Sequence, residues 1–180
     1  MIKQDTFLSA DQLDRDVRTR PGFEERALNA SIVRADISAS FEEYLAIFDA
    51  FYAEDIEASS GTGEEPIRGK ARVRSLLLTF LIPLHVMAEV GGLSITIRNN
   101  PLAGDVTDET HSGWTLELVG VSGKTCTLSW RTFRKWNGPH VIYEHHYDHE
   151  QTGGPLTFDD LSFGAANMGD LFPEQSKLAS

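Results

Sequence analysis

From position 40 onward, apolar side chains recur first at a helical interval and later at every second residue. Ser40 and Glu43 form a capping box, and Phe41, Tyr44, Leu45, Phe48 and Tyr52 follow on one helical face. The pattern then predicts a short strand over residues 52–59 and a polar, Gly-rich turn through Ser60, Gly61, Thr62 and Gly63. A brief returning strand is expected at Pro66, Ile67 and Arg68. Gly69 and Lys70 open a second helix in which Val73, Leu76, Leu77, Phe80 and Leu81 share a face, and Pro83 is expected to stop it.

Beyond Pro83 the period falls to two, the mark of strands. Candidate strands cover 85–99, with Gly91 and Gly92 as a bend, then 106–119, 125–136 and 141–149, and Asn137-Gly138 is a hairpin signal. Trp114, Leu116 and Leu118 alternate with Thr115 and Glu117, while Trp130 and Trp136 fall in phase with Cys126 and Leu128. His111 is out of phase with Trp114 and is expected to face outward. Helices followed by a meander of long strands argue an α+β fold, with the helices on one face of an antiparallel sheet. Residues 1–37 read as a helical extension, with a first helix from Ala10 capped by Ser9, a break at Pro21-Gly22, and a second stretch over 23–33. It is expected to be an arm that packs on the body or on a second subunit. Residues 38–150 make the main domain, and 151–180 a small polar tail.

The chain has 180 residues, 41% of them hydrophobic and 24% charged, which suits a globular domain with its own core. Its 16 Lys and Arg against 27 Asp and Glu give a net charge of −11, with no local basic patch. Nucleic acid and anionic membrane surfaces are therefore not expected partners. The single cysteine, Cys126, excludes an internal disulfide and a multi-thiolate zinc site. Lys3, Asp5, Asp11, Asp14 and Arg15 occupy the place of a leader's apolar region, so a cytoplasmic location is expected. The longest apolar stretch, 75–88, falls short of the roughly 20 residues that cross a bilayer. Asn29-Ala30-Ser31 matches a glycosylation acceptor, read here as chance.

Three segments together resemble the nuclear-transport-factor-like superfamily, and within it the SnoaL-like polyketide cyclases and ketosteroid-isomerase-like proteins. They are the helix leading into Phe51-Tyr52-Ala53-Glu54-Asp55-Ile56-Glu57, the Pro66-Ile67-Arg68-Gly69-Lys70 entry to the next helix, and the ending from Asn137-Gly138 through Tyr147-Asp148. The resemblance spans about residues 38–150. It implies a cone-shaped α+β barrel, with N-terminal helices packed in the concave face of a strongly curved antiparallel sheet around an apolar pocket. It further implies a homodimer, a small hydrophobic molecule as partner, and chemistry without metal or organic cofactor.

The densest run of chemistry is Glu144-His145-His146-Tyr147-Asp148-His149. On a regular strand Glu144, His146 and Asp148 share one face and His145, Tyr147 and His149 the other, so the histidines do not converge on one metal ion. The resemblance places Asp148 where the cyclases carry an acid–base aspartate. A carboxylate inside an apolar cone is desolvated, which raises its pKa toward a useful range, and His146 would share its proton or orient the substrate. Tyr52, Phe48, Phe80, Trp114, Trp130 and Glu144 are the candidate substrate contacts. Arg131 and Arg134 lie on opposite faces of their strand. One of them would pair with an inward carboxylate if the chain carried the Asp-Arg-Asp arrangement of limonene-type epoxide hydrolases, but the full triad is not legible.

The expected function is a cofactor-independent enzyme working beside a carbonyl (a cyclase, isomerase or dehydratase) with Asp148 as base. The alternatives are a non-catalytic ligand-binding protein of the same fold and a dimeric scaffold that uses the outer sheet face.

Overall fold

The computed structural model describes residues 20–61, 65–102 and 108–161. Helices α1 (Arg20–Arg34) and α2 (Phe41–Phe51) lead into strand β1 (Tyr52–Ser60) and the two-residue β2 (Ile67–Arg68). Helix α3 (Lys70–Glu89) then precedes β3 (Ser94–Pro101), β4 (Glu109–Val119), β5 (Thr125–Asn137) and β6 (His140–Gly153). A 3-10 turn at Phe158–Asp160 closes the described chain.

Ser40 caps α2 as its sequence predicts, its hydroxyl accepting from the Glu42 amide at 3.2 Å. Pro21 lies at the second position of α1 as described, where its missing N–H costs nothing, so this helix includes Pro21 and Gly22 and does not wait for Phe23. The predicted helix from Ala10 and the tail beyond 161 lie outside the described residues, as do Thr62 and Gly63 of the predicted turn.

Helix α3 does not stop at Pro83; it runs six residues further, to Glu89. An interior proline removes a hydrogen bond and costs about 3 kcal/mol. Here Leu84, Met87 and Ala88 continue the stripe begun by Val73 and Leu81 into the core, and that burial holds the helix together. Residues 85–89 are therefore helical, Gly91 and Gly92 form the turn, and the strand begins only at Ser94. At 20 residues, α3 is long and apolar enough to cross a bilayer by length and composition alone.

The six strands form one open sheet in the order β2-β1-β6-β5-β4-β3. The sequence reading made it wholly antiparallel and closed into a barrel. Instead β1 and β6 run parallel, Tyr52 against Val141 and Ser60 against His146. No hairpin joins these two strands, so nothing forces them to alternate in direction. The remaining pairs are antiparallel, with Trp114 opposite Trp130 and Arg134 opposite Glu144.

Two apolar clusters fill the side of the sheet that the helices cover. Leu28, Phe48, Tyr52, Ile56, Val73, Trp136 and Val141 make one. Ile37, Leu45, Leu81, Leu84, Leu93, Leu116 and Leu161 make the other. Described residues from both ends of the chain enter this core: α1 contributes Leu28, the following turn Ile37, and the C-terminal segment Leu161.

Candidate active site

Along β5, Trp136 belongs to the first cluster while Leu128 and Trp130 pack on the second. Between them, on the same face, stand Thr132 and Arg134. That break in an otherwise apolar row is where the site forms. Arg134, only 3% exposed, gives its Nε to Glu144 Oε2 at 2.6 Å and its Nη1 to Glu25 Oε1 at 2.7 Å. Nη1 also donates to Asn29 Oδ1 at 3.0 Å, and Asn29 Nδ2 returns to Glu25 Oε1 at 2.8 Å. Thr110 on β4 donates to Glu25 Oε2 at 2.9 Å and accepts from Trp136 Nε1 at 2.8 Å. One buried arginine therefore bridges two buried carboxylates, one from helix α1 and one from strand β6.

Glu144 gathers the remaining partners. Its Oε2 accepts from Tyr52 Oη at 2.6 Å, and its Oε1 lies 2.9 Å from His146 Nε2. Burial works against a charged Glu144, but the Arg134 and His146 charges and the hydrogen bonds outweigh it. The carboxyl is held well below the usual carboxylate range. Burial and the adjacent Glu144 charge raise the Tyr52 phenol well above its usual value, so it stays a donor. Arg134 also keeps its proton despite burial, because the Glu25 and Glu144 carboxylates hold it more firmly than desolvation weakens it.

The Glu144 carboxylate accepts and cannot donate, so His146 turns a protonated Nε2 to it, and the neutral form of the ring keeps its lone pair on Nδ1. The imidazole lies over Trp130, with centroids 6.4 Å apart and planes 25° apart, and Trp130 stacks in turn on Trp114 at 6.4 Å and 16°. The His146 side chain remains 35% exposed, so this end of the interior is open to solvent.

Asp148 does not join them. The backbone at Asp148 adopts φ 53°, and the pairing with β5 shifts between Ser129 and Arg131, a bulge that breaks the alternation beyond Tyr147. The Asp148 side chain is 61% exposed and reaches Arg131, itself 55% exposed, at 3.4 Å. Phe80 is displaced too: it is 48% exposed, on the flank of the stripe formed by Val73, Leu81 and Leu84. Phe48 is a core residue stacked on Tyr52 at 4.5 Å. Tyr52, Trp114, Trp130, Glu144 and His146 are brought together as the sequence reading grouped them.

The residues missed are Glu25 and Asn29, assigned to an arm, and Arg134, left between surface and interior. Phase was the available signal for Arg134, which falls in phase with Trp130 and Trp136. The glycosylation match at Asn29 falls on a buried amide.

The outer face carries His111, Phe133, Tyr143, His145 and Tyr147. His145 stacks on Tyr147 at 5.7 Å, and Ser59 Oγ lies 2.8 Å from His145 Nδ1. An open groove of about 640 Å³ on this side is lined by Asp55, Glu57, Phe133, Lys135, Asn137, Ile142 and Tyr143. Among the described residues, no cluster of His, Cys, Asp and Glu is arranged to hold a metal ion.

No protein-family model matches the chain, and no curated protein does. Solved structures do. An NTF2-like protein from Anabaena variabilis superposes with a TM-score of 0.51 at 12% identity, over 77% of this chain and 92% of its own. A protein assigned as a polyketide cyclase in Xanthomonas campestris does so with a TM-score of 0.50 at 17% identity, over 72% and 90%. The chain has the NTF2-like cone fold. In an NTF2-like cone the helices lie in the curve of the sheet, and the Glu25–Arg134–Glu144 bridge occupies that position here. At these identities the likeness is one of architecture, and the chemistry has to be argued from the side chains.

Proposed function

We propose that this NTF2-like protein is a cofactor-independent acid–base enzyme that moves a proton beside the carbonyl of a small, flat, apolar molecule. The observation that carries this reading is the 2.9 Å contact between His146 Nε2 and Glu144 Oε1, with Glu144 itself fixed by Tyr52 and Arg134. Imidazole is the side chain suited to giving and taking protons near neutrality. Nδ1 of His146 takes the proton from the carbon next to the carbonyl. Glu144 holds the ring in the tautomer that leaves Nδ1 free and stabilises the imidazolium that results, without being protonated itself. Trp130 and Trp114 offer flat apolar faces for the substrate. Glu144 is thus a positioning residue, and His146 takes the role the sequence reading gave to Asp148. The reading takes a small hydrophobic molecule as the partner.

The elementary step can be followed without the natural substrate, by exchange of the C1 protons of 2-tetralone in D₂O. The wild type should accelerate exchange by about 10²–10⁴-fold over buffer, the usual range for positioned acid–base catalysis. His146→Ala should return it to background, and Asp148→Asn should leave it unchanged. Exchange that survives in His146→Ala, or no acceleration at all, overturns the assignment. The mutual saturation of Glu25, Arg134 and Glu144 favours a second reading, a ligand-binding protein. It is supported if 2-tetralone binds without exchange.

A further inference from the structure

Among the described residues, one buried side-chain polar atom has no hydrogen-bond partner: Thr132 Oγ1. Thr132 is 1% exposed. It sits in the middle of β5, directly opposite Ser112 on one side and His146 on the other. All three share the face that carries Trp114, Trp130 and Arg134. Ser112, fully buried, accepts from Trp114 Nε1 at 3.0 Å, and that bond does not use the Ser112 hydroxyl proton. A buried hydroxyl without a partner costs stability, and a valine of the same shape would avoid that cost. The residues around it are themselves committed: Arg134 to the two carboxylates, Trp136 to Thr110, and His146 Nε2 to Glu144.

We propose that Thr132 and Ser112 are the polar end of the binding site, where their hydroxyl protons converge on one oxygen of the ligand. Directly opposite residues on an antiparallel pair stand about 5 Å apart at Cβ, close enough for both hydroxyls to reach a single acceptor. Ser112 Oγ already accepts from Trp114, so its free function is its proton; two hydroxyl protons aimed at one point match the two lone pairs of a carbonyl oxygen, and the neighbouring Trp130 ring selects a planar ring bearing it. The ligand class is therefore a cyclic or aryl ketone. On the proton-transfer reading on which this rests, the same oxygen gains negative charge as His146 removes the neighbouring proton, and the two hydroxyls stabilise it there.

The test compares 2-tetralone with tetralin, its analogue without the oxygen. Binding is read from quenching of tryptophan emission, and the bound ketone is also read from its carbonyl infrared band. Thr132→Val should bind 2-tetralone about tenfold more weakly than the wild type, the loss expected for one hydrogen bond. It should bind tetralin equally well, be no less stable, and shift the carbonyl band of bound 2-tetralone to higher frequency. Thr132→Ser should restore both affinity and band position. Equal affinity of Thr132→Val and the wild type for 2-tetralone, with an unmoved band, overturns the subsite while leaving the His146 reading intact. A wild type that binds neither compound removes both. Tetralin binding by Thr132→Val serves as the control for correct folding.

Discussion

Replacing Arg134 by methionine keeps most of the side-chain volume but leaves Glu25 and Glu144 facing each other in the interior. The wild-type guanidinium is 3% exposed and makes charged hydrogen bonds of 2.6 Å to Glu144 and 2.7 Å to Glu25. Each is worth about 1.5–3 kcal/mol, and breaking a buried ion pair from one side costs about 3–5 kcal/mol because the partner charge is stranded. The expected loss in Arg134→Met is therefore about 4 kcal/mol, measured by urea unfolding at neutral pH with the slope unchanged. The sign of the pH dependence follows from Glu144. Its folded pKa is depressed below the free value of 4.5, so its contribution is present above 4.5 and is lost as the pH falls toward the folded value. The variant lacks that contribution, and its buried carboxyls take up protons more readily than in the wild type. The gap between wild type and Arg134→Met should thus be widest above pH 4.5 and narrow below it. Replacing Glu25, Arg134 and Glu144 together by Leu, Met and Leu should recover part of the loss, since it strands no charge but leaves the buried Tyr52, Asn29 and Thr110 donors without their carboxylate partners. A loss in Arg134→Met of less than about 1 kcal/mol, or one equal at all pH values, would refute the reasoning.

Asp148→Gly should be neutral or stabilising by up to about 1 kcal/mol in thermal unfolding, because φ 53° suits glycine better than aspartate. A clear loss would mean that the Arg131 contact contributes more than its exposure suggests. At Gly120 an added Cβ would collide with the Asp160 backbone carbonyl. Gly120→Ala should lower stability by at least about 1 kcal/mol and release the Asp160–Lys124 contact, detected as faster amide exchange around residues 157–160; unchanged exchange would contradict this. Burial and neighbouring acidic groups push the Tyr44 phenol up to about 12, and Tyr52 is raised as well. Alkaline difference spectra should therefore contain a late component that diminishes in Tyr44→Phe and again in Tyr52→Phe. A single step near the ordinary phenol value of 10.0 would rule out their burial.

Periodicity made most of the elements readable in advance. Ser40 marks the start of α2, the alternation around Trp114 gives β4, and Asn137-Gly138 gives the β5–β6 turn. The same alternation set His111 out of phase with Trp114, and Trp130 in phase with Trp136. It failed where one residue changes the count. Asp148 takes a left-handed conformation, and nothing in Tyr147-Asp148-His149 announces the bulge. Pro83 was misread because the local loss of a hydrogen bond was weighed without the burial of Leu84 and Met87, which depends on distant partners. The phase that Arg134 shares with Trp130 and Trp136 points inward, but an arginine stays inside only with a counter-charge. Its burial requires Glu25, and an acidic residue in an N-terminal helix gives no local sign that it will face the sheet.

The bridge also bears on the order in which the molecule assembles. Glu25 and Arg134 are 109 residues apart, and the parallel partners Tyr52 and Val141 are also far apart in the chain. Contacts of such long separation form only after a large loop has closed, whereas the β4–β5 and β5–β6 hairpins are local. The hairpins are therefore the natural early structure, and the docking of α1 onto Arg134 a late event. Substitutions in the bridge should act mainly on the rate of unfolding and leave the rate of folding nearly unchanged. In that sense Arg134 is a latch that sets how long the finished cone persists, and has little part in how quickly it is reached.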